Sequence, residues 1–336
     1  MLHRRSLIRA SLAVLGAISG YAPGAAPAQS KPLVTVRYNE VVRSLLYAPA
    51  YVAISKGYFK GAGLDVVLTT ANGGDKSMAA LLSDSADIAL MGPEAAIYVL
   101  NSDSTVKARI FCGLTATDGF VLVGRSKPEK FAWGMLKGQE ILGFRPGSTP
   151  LLFLQEAMRM NGVDPDTDVK LSNNVAIPAR VGSWLAGQNQ YAIFIEPDAS
   201  QLELDGKAYF LASIGATVGF ADYTAFMATD KYISANPAVL QNWTNVIHRA
   251  QKWTAAASAA EIAQTIGDFF PGVAPKALTA AAARYQKLKI WKTTPVIEPQ
   301  AIERFQDILV HGHVLEAGKR VKFTDLVDAQ FASKAT

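Results

Sequence analysis

The sequence predicts an α/β chain of two related lobes, each a mostly parallel sheet flanked by helices, and three observations carry that expectation. The first is the stretch NGGDKSMAALLSDSADIALMGPEAAIY, residues 72–98. Residues 77–82 are apolar on one helical face, Asp84, Ser85 and Asp87 punctuate the chain, and Ile88–Met91 is a short continuous apolar run of the kind a parallel sheet buries. Gly92-Pro93-Glu94 then turns into a new helix; such a corner lies at the carboxyl end of a strand, where open α/β sheets place their ligands. The second observation is a similar corner about one hundred residues on, in residues 178–203. There an apolar run, 191–195, leads to Glu196 and to Pro197, which opens a helix. The third is size: 336 residues at 50% hydrophobic content can bury a large core and suit about two domains. A plainer reading of the corners also stands, because proline suits the first helical turn of any α/β protein.

The chain opens MLHRRSLIRA, passes through a mildly apolar segment, 11–21, and reaches Ala26-Pro27-Ala28 before Gln29. Residues 1–28 read as a signal peptide with an Ala-x-Ala cleavage site, too short for a membrane anchor. Arg4-Arg5 followed by Ser6-Leu7-Ile8-Arg9 also resembles a twin-arginine export signal, with an ordinary secretory leader as the alternative. No cysteine follows the apolar segment, so a soluble mature protein without a lipid anchor is expected. Three of the 33 basic residues lie in this leader; against 28 acidic residues their removal lowers the net charge from +5 to +2. With 18% charged residues and no basic stripe, nucleic-acid binding gains no support.

After the leader, residues 33–38 alternate like a strand, and 39–46 form a polar turn containing Arg43 and Ser44. A helix starts near Tyr47-Ala48-Pro49, runs through Tyr51, Val52, Ile54 and Ser55 to the Gly57-Tyr58-Phe59 region, and is stopped by Gly61 and Gly63. Residues 64–68 read as the next strand, and Asn72-Gly73-Gly74-Asp75 leads into the helix before the first corner.

At this point a resemblance is specific. Ala48-Pro49-Ala50-Tyr51-Val52-Ala53, Lys56-Gly57-Tyr58-Phe59, Gly63-Leu64-Asp65-Val66, Ala80-Leu81-Leu82 and Ala86-Asp87-Ile88-Ala89 resemble the substrate-binding proteins of ABC importers. The branch resembled handles nitrate, alkanesulfonates, taurine and pyrimidine precursors of thiamine, and the similarity runs from about Val34 to Leu315. It implies a two-lobed periplasmic-binding-protein fold of type II, a ligand cleft between the lobes, a small organic solute as ligand, an ABC permease complex in the inner membrane as partner, a periplasmic location and a monomer. Most of the matched residues have a local structural role of their own, since Gly57 and Gly63 let the backbone leave a helix and re-enter a sheet.

Beyond Tyr98, two apolar runs, 106–114 and 120–123, flank Thr115-Ala116-Thr117-Asp118-Gly119. In the resembled family the chain crosses here between lobes, and a polar break containing glycine fits a hinge. The second lobe is expected to hold 141–144, the turn Arg145-Pro146-Gly147-Ser148-Thr149-Pro150, a helix over 151–160 and the run 169–171, and to end after 209–214. The chain returns near 223–227. Residues 237–257, 260–269, 276–288 and 300–315 read as alanine-rich amphipathic helices, with Trp243, Trp253 and Trp291 as packing anchors, and 321–331 is an apolar tail. The expected division is 33–117 plus 225–331 for the first lobe and 118–224 for the second.

A two-lobed binder needs polar groups at strand ends that converge on the cleft. From the first lobe the candidates are Arg43, Ser44, Tyr47, Gly92 and Glu94; from the hinge, Asp118; from the second lobe, Gly147, Ser148, Thr149 and Glu196; and Tyr223 where the chain returns. The Gly147 turn, ahead of a helix N-terminus, offers N–H groups to a sulfonate, nitrate, phosphate or carboxylate, or Ser148 or Thr149 serves only as the helix cap. Glu94 and Glu196 pull the other way: they would repel a small anion and accept hydrogen bonds from an aminopyrimidine or pair with a cationic nitrogen, or each merely faces its own helix dipole.

Single Cys112, in an apolar run, reads as a buried structural thiol. The four histidines show no metal-ligand spacing, so no metal and no cofactor is expected. No nucleophile–base pair or nucleotide-binding motif appears, which favours binding over catalysis; an exported enzyme on the same scaffold, pyrimidine-precursor or hydrolytic, and a ligand-sensing module for a signalling partner are the alternatives.

Overall fold

Residues 32–336 are described by the computed structural model; the leader and its export motif lie outside the described residues. In chain order the strands are β1 (Val34–Glu40), β2 (Leu64–Thr70), β3 (Ile88–Met91), β4 (Ala108–Thr115), β5 (Val121–Gly124), β6 (Glu140–Leu142), β7 (Lys170–Ser172), β8 (Tyr191–Phe194), β9 (Tyr209–Ser213) and β10 (Thr224–Thr229). They form two five-stranded sheets, ordered β2-β1-β3-β10-β4 and β7-β6-β8-β5-β9. Both sheets are mixed. In each, four strands share one direction and a fifth is reversed: β10 runs antiparallel to β3 and β4, and β5 runs antiparallel to β8 and β9.

The reversed strands are the first ones made after each crossing between sheets. β4 leaves the first sheet at its carboxyl end, so β5 enters the second from the side on which that sheet's other strands finish; β10 enters the first sheet in the same way. The four residues of β3, all buried, sit at the sheet centre between β1 and β10, as a continuous apolar run requires.

The expected first helix divides into a single 3₁₀ turn, Leu45–Tyr47, the helix Ala48–Ser55, and a short turn, Tyr58–Gly61, separated by Gly57 at φ 67°. That left-handed angle favours glycine. The C-terminal region is helical at Pro237–Ala256, Ala259–Ile266, Pro275–Lys287 and Pro299–His311, and the apolar tail becomes two short helices, Phe323–Leu326 and Gln330–Ser333. Trp243 packs edge-on to Tyr38 and Phe226, with ring centroids 5.2 and 5.3 Å away. Trp291, half-buried, packs edge-on to Tyr285 and also donates its indole N–H to the carbonyls of Leu45 and Leu46.

Candidate functional site

The two crossings leave the strand ends of both sheets around a cavity of about 410 Å³. Of the residues expected there, Tyr47, Gly92, Glu94, Ser148, Thr149 and Tyr223 line it.

Glu94 begins the helix Glu94–Leu100 straight after β3 and is 9% exposed. Its Oε2 has no hydrogen bond of normal geometry among the described residues. Burial pushes the carboxyl above its ordinary range, opposed by the Thr149 hydroxyl and amide, the Glu94 amide and the charge of Arg145. Gly92 makes room for this acid: a Cβ there would lie 2.1 Å from Glu94 Oε2 and 2.6 Å from Thr149 Oγ1. Glu94 therefore stands against the start of the helix Thr149–Arg159, reached from the other sheet. The carboxylate and the anion-accepting helix start, two separate expectations from the sequence, meet each other.

The Gly147 turn is shaped for that approach. Gly147 has φ 74°, and its carbonyl accepts from the Tyr98 hydroxyl at 3.1 Å, so this residue ties the turn to the first sheet's helix instead of lining the cavity. Ser148 does not cap; its hydroxyl donates back to the Arg145 carbonyl at 2.7 Å.

Four further candidates lie away from the cavity. Arg43 pairs with Glu40 at 2.8 Å and stands 5.3 and 5.2 Å from the rings of Tyr51 and Phe269. Ser44, fully buried, accepts from the Leu46 amide and donates to the Glu196 carbonyl at 3.0 Å. Asp118, also fully buried, accepts from the Phe120 amide beside Tyr223, and burial pushes its carboxyl up to about 7. Glu196 is turned the other way: its carboxylate accepts from the Ser200 amide and hydroxyl and pairs with Arg284 at 2.5 Å.

The fate of Glu196 exposes a register error. Its position precedes Pro197, whereas Glu94 follows Pro93; aligned on the prolines, the counterpart of Glu94 is Asp198, first residue of the helix Asp198–Leu204. Asp198 does line the cavity, and burial raises its carboxyl against the nearby charge of Arg180. The signal for this was present in the two Pro-acid dipeptides.

Other cavity residues were missed, Arg180, Asp75 and Arg145 among them. Arg180, 3% exposed, donates to the carbonyls of Gly143, Leu142 and Ile193, and its guanidinium lies 3.7 Å from the centre of the Phe144 ring. Burial pushes it down to about 9. With Nη1 and Nη2 given to backbone and Nε left without a partner among the described residues, it backs an aromatic wall in which Phe144 meets Phe120 edge-on at 5.0 Å. Asp75, on the first sheet's helix Gly74–Leu82, pairs with Arg145 at 2.8 Å on the cavity lining, each about half exposed. The described residues contain no group of three or more His, Cys, Asp or Glu side chains able to hold a metal ion. Cys112 is buried in β4, where burial pushes its thiol up.

A model of the NMT1-like family matches residues 34–267. YtlA of Bacillus subtilis (strain 168), named as a candidate binding protein, is 35% identical over 329 residues, 98% of this chain and 98% of its own length. Among solved structures, the alkanesulfonate-binding protein SsuA from Xanthomonas axonopodis pv. citri, bound to MOPS, has a TM-score of 0.71 at 16% identity, covering 88% of this chain and 99% of that one. The periplasmic nitrate-binding protein NrtA from Synechocystis PCC 6803 has a TM-score of 0.62 at 17% identity, covering 74% and 70% respectively. At these identities the solved structures speak to the fold: two lobes, each built on one of the sheets, with the cavity between them.

Proposed function

The chain belongs to the NMT1-like family, and from that membership we propose that it is the periplasmic solute-binding component of an ABC importer, closing two lobes on a small, flat organic solute that presents N–H donors. The moving lobes are residues 33–117 plus 225–331 and residues 118–224, the protein acts as a monomer, and its partner is the permease complex in the inner membrane. Closure follows from differential affinity: a solute touching both lobes favours the arrangement in which both contacts are made. No helix among the described residues is long and apolar enough to cross a membrane.

The observation that carries the solute class is Glu94, a buried cavity acid whose Oε2, beside the Thr149 helix start, has no hydrogen bond of normal geometry among the described residues. A small oxyanion would face this carboxylate and Asp198, while the buried guanidinium of Arg180 gives Nη1 and Nη2 to carbonyls and keeps only its Nε without a partner among the described residues. A planar amino-heterocycle such as an aminopyrimidine would place its ring against Phe144 and Phe120 and its N–H groups on Glu94. The relatives named for a ligand-related role are named as binding proteins, which supports a binder over a catalyst.

Thermal-shift screening of the purified protein against aminopyrimidines, alkanesulfonates, taurine and nitrate tests this, since a ligand that binds only the native state raises the midpoint. An aminopyrimidine is expected to raise it, and Glu94→Gln is expected to weaken binding by about tenfold or more, the loss of a charge-assisted hydrogen bond. A midpoint raised by an oxyanion alone, with Glu94→Gln binding as tightly as the wild type, sinks the solute class. Consumption of the hit on incubation sinks the binder.

A further inference from the structure

A second cavity, of about 500 Å³, shares no lining residue with the first. Its walls include Gln251 from the helix Pro237–Ala256, Tyr285 from Pro275–Lys287, Trp291 and Lys292 from the segment that follows, and one residue from each crossing, Ala116 and Phe220.

Gln251 is 1% exposed. Its Nε2 donates to the Gly113 carbonyl at 2.9 Å, which leaves Oε1 buried with no partner among the described residues. A buried acceptor without a donor is costly, and a guest carrying an N–H or O–H group removes that cost. The aromatic character comes from Phe220, an unusually exposed large side chain at 44%, and from the half-buried Trp291, held edge-on to Tyr285 at 5.7 Å. The charges cancel. Lys292 pairs with the buried Asp222 while standing 5.0 Å from the centre of the Phe220 ring, and the exposed Lys289 and Glu298 on the lining oppose each other in sign. A wall with no net charge selects no ionic guest.

We infer that this cavity is a second small-molecule site, for a neutral planar aromatic molecule with one N–H or O–H donor. The ring lies against Phe220 and Trp291, and the donor reaches Gln251 Oε1. The site differs in kind from the cleft because its occupant braces the two crossings, which are joined at this point by the Ala221 and Asp222 amides donating to the Ala116 carbonyl at 2.9 and 3.2 Å. Affinity here is therefore linked to the angle between the lobes, and by reciprocity cleft occupancy is linked to it.

Indole and its isostere benzofuran, which lacks the N–H, are the probes, titrated by calorimetry into the wild type, Phe220→Ala and Gln251→Met. Indole is expected to bind the wild type, and Phe220→Ala, an exposed position whose truncation leaves the core intact, to weaken it by about tenfold. Benzofuran is expected to bind the wild type about fivefold or more weakly than indole, a difference that vanishes in Gln251→Met. Absence of indole binding at millimolar concentration overturns the inference. So does equal binding by wild type and Phe220→Ala, which puts the probe elsewhere, and so does benzofuran matching indole in the wild type, which removes the role of Gln251.

Discussion

Replacing Asp118 with asparagine should alter how stability depends on pH, by an amount the structure allows to be worked out. The carboxyl is fully buried at the first crossing and pushed from its ordinary 3.8 up to about 7, burial outweighing the Phe120 amide and the Tyr223 hydroxyl. Because the folded value exceeds the unfolded one, the native state holds the proton over a window in which the unfolded state has lost it. Stability is fully present below about pH 4 and falls as pH rises toward about 7, at roughly 1.4 kcal/mol per pH unit. About three units give a total on the order of 4 kcal/mol. Asp118→Asn is uncharged throughout, and its side-chain carbonyl can still accept from the Phe120 amide. The variant should therefore gain on the wild type by about 3 kcal/mol between pH 4.5 and pH 8, whatever fixed offset the new amide introduces. Urea unfolding followed by tryptophan fluorescence at the two pH values measures it, with equal slopes in urea as the check on two-state behaviour. The other raised carboxyls, including Glu94 and Asp222, are common to both proteins and cancel in the difference. An Asp118→Asn effect of the same size at both pH values would refute the assignment of a buried, proton-holding acid at the hinge.

Three other outcomes follow from the packing. Gly92→Ala should fold, since its φ is not positive, but its Cβ must drive the Glu94 carboxylate aside; calorimetry should show solute affinity lost while urea unfolding shows a cost of about 1–3 kcal/mol. Asp222→Ala strands the buried Lys292 ammonium and should cost about 3–5 kcal/mol in urea unfolding, with Asp222→Ala/Lys292→Met recovering part of it. Arg145→Ala, by contrast, removes an exposed pair and should change stability by less than about 1 kcal/mol, while flattening the salt dependence of solute binding.

What could be read along the chain was whatever its local pattern decides. Ile88–Met91 announces a central strand because a strand covered on both faces must be apolar at every position. Gly57 announces a break because only its backbone angle permits the exit. The Arg43–Glu40 pair is equally local, since Glu40 stands three residues before Arg43, a short enough separation for the pair that forms. The rest depends on approaches across the fold. Arg180 sits 37 residues from the carbonyl of Gly143, and no pattern around it says that its two terminal nitrogens end on backbone. The Gly147 turn looked like a seat for a foreign anion because nothing near it in sequence reveals that Glu94 comes to stand against the helix start from the other sheet. Glu196 and Asp198 differ by two positions, and that offset is enough to send one acid to Arg284 and the other to the cavity wall.

The place of β10 between β3 and β4 has a bearing on the order in which the two sheets can be completed. All five strands of the second sheet are contiguous in sequence and complete at Ser213, whereas the first sheet waits for Thr224–Thr229 to join its two halves. The sheet begun first is therefore finished last. Until then β3 and β4 present open edges, which β10 closes on both sides as it enters.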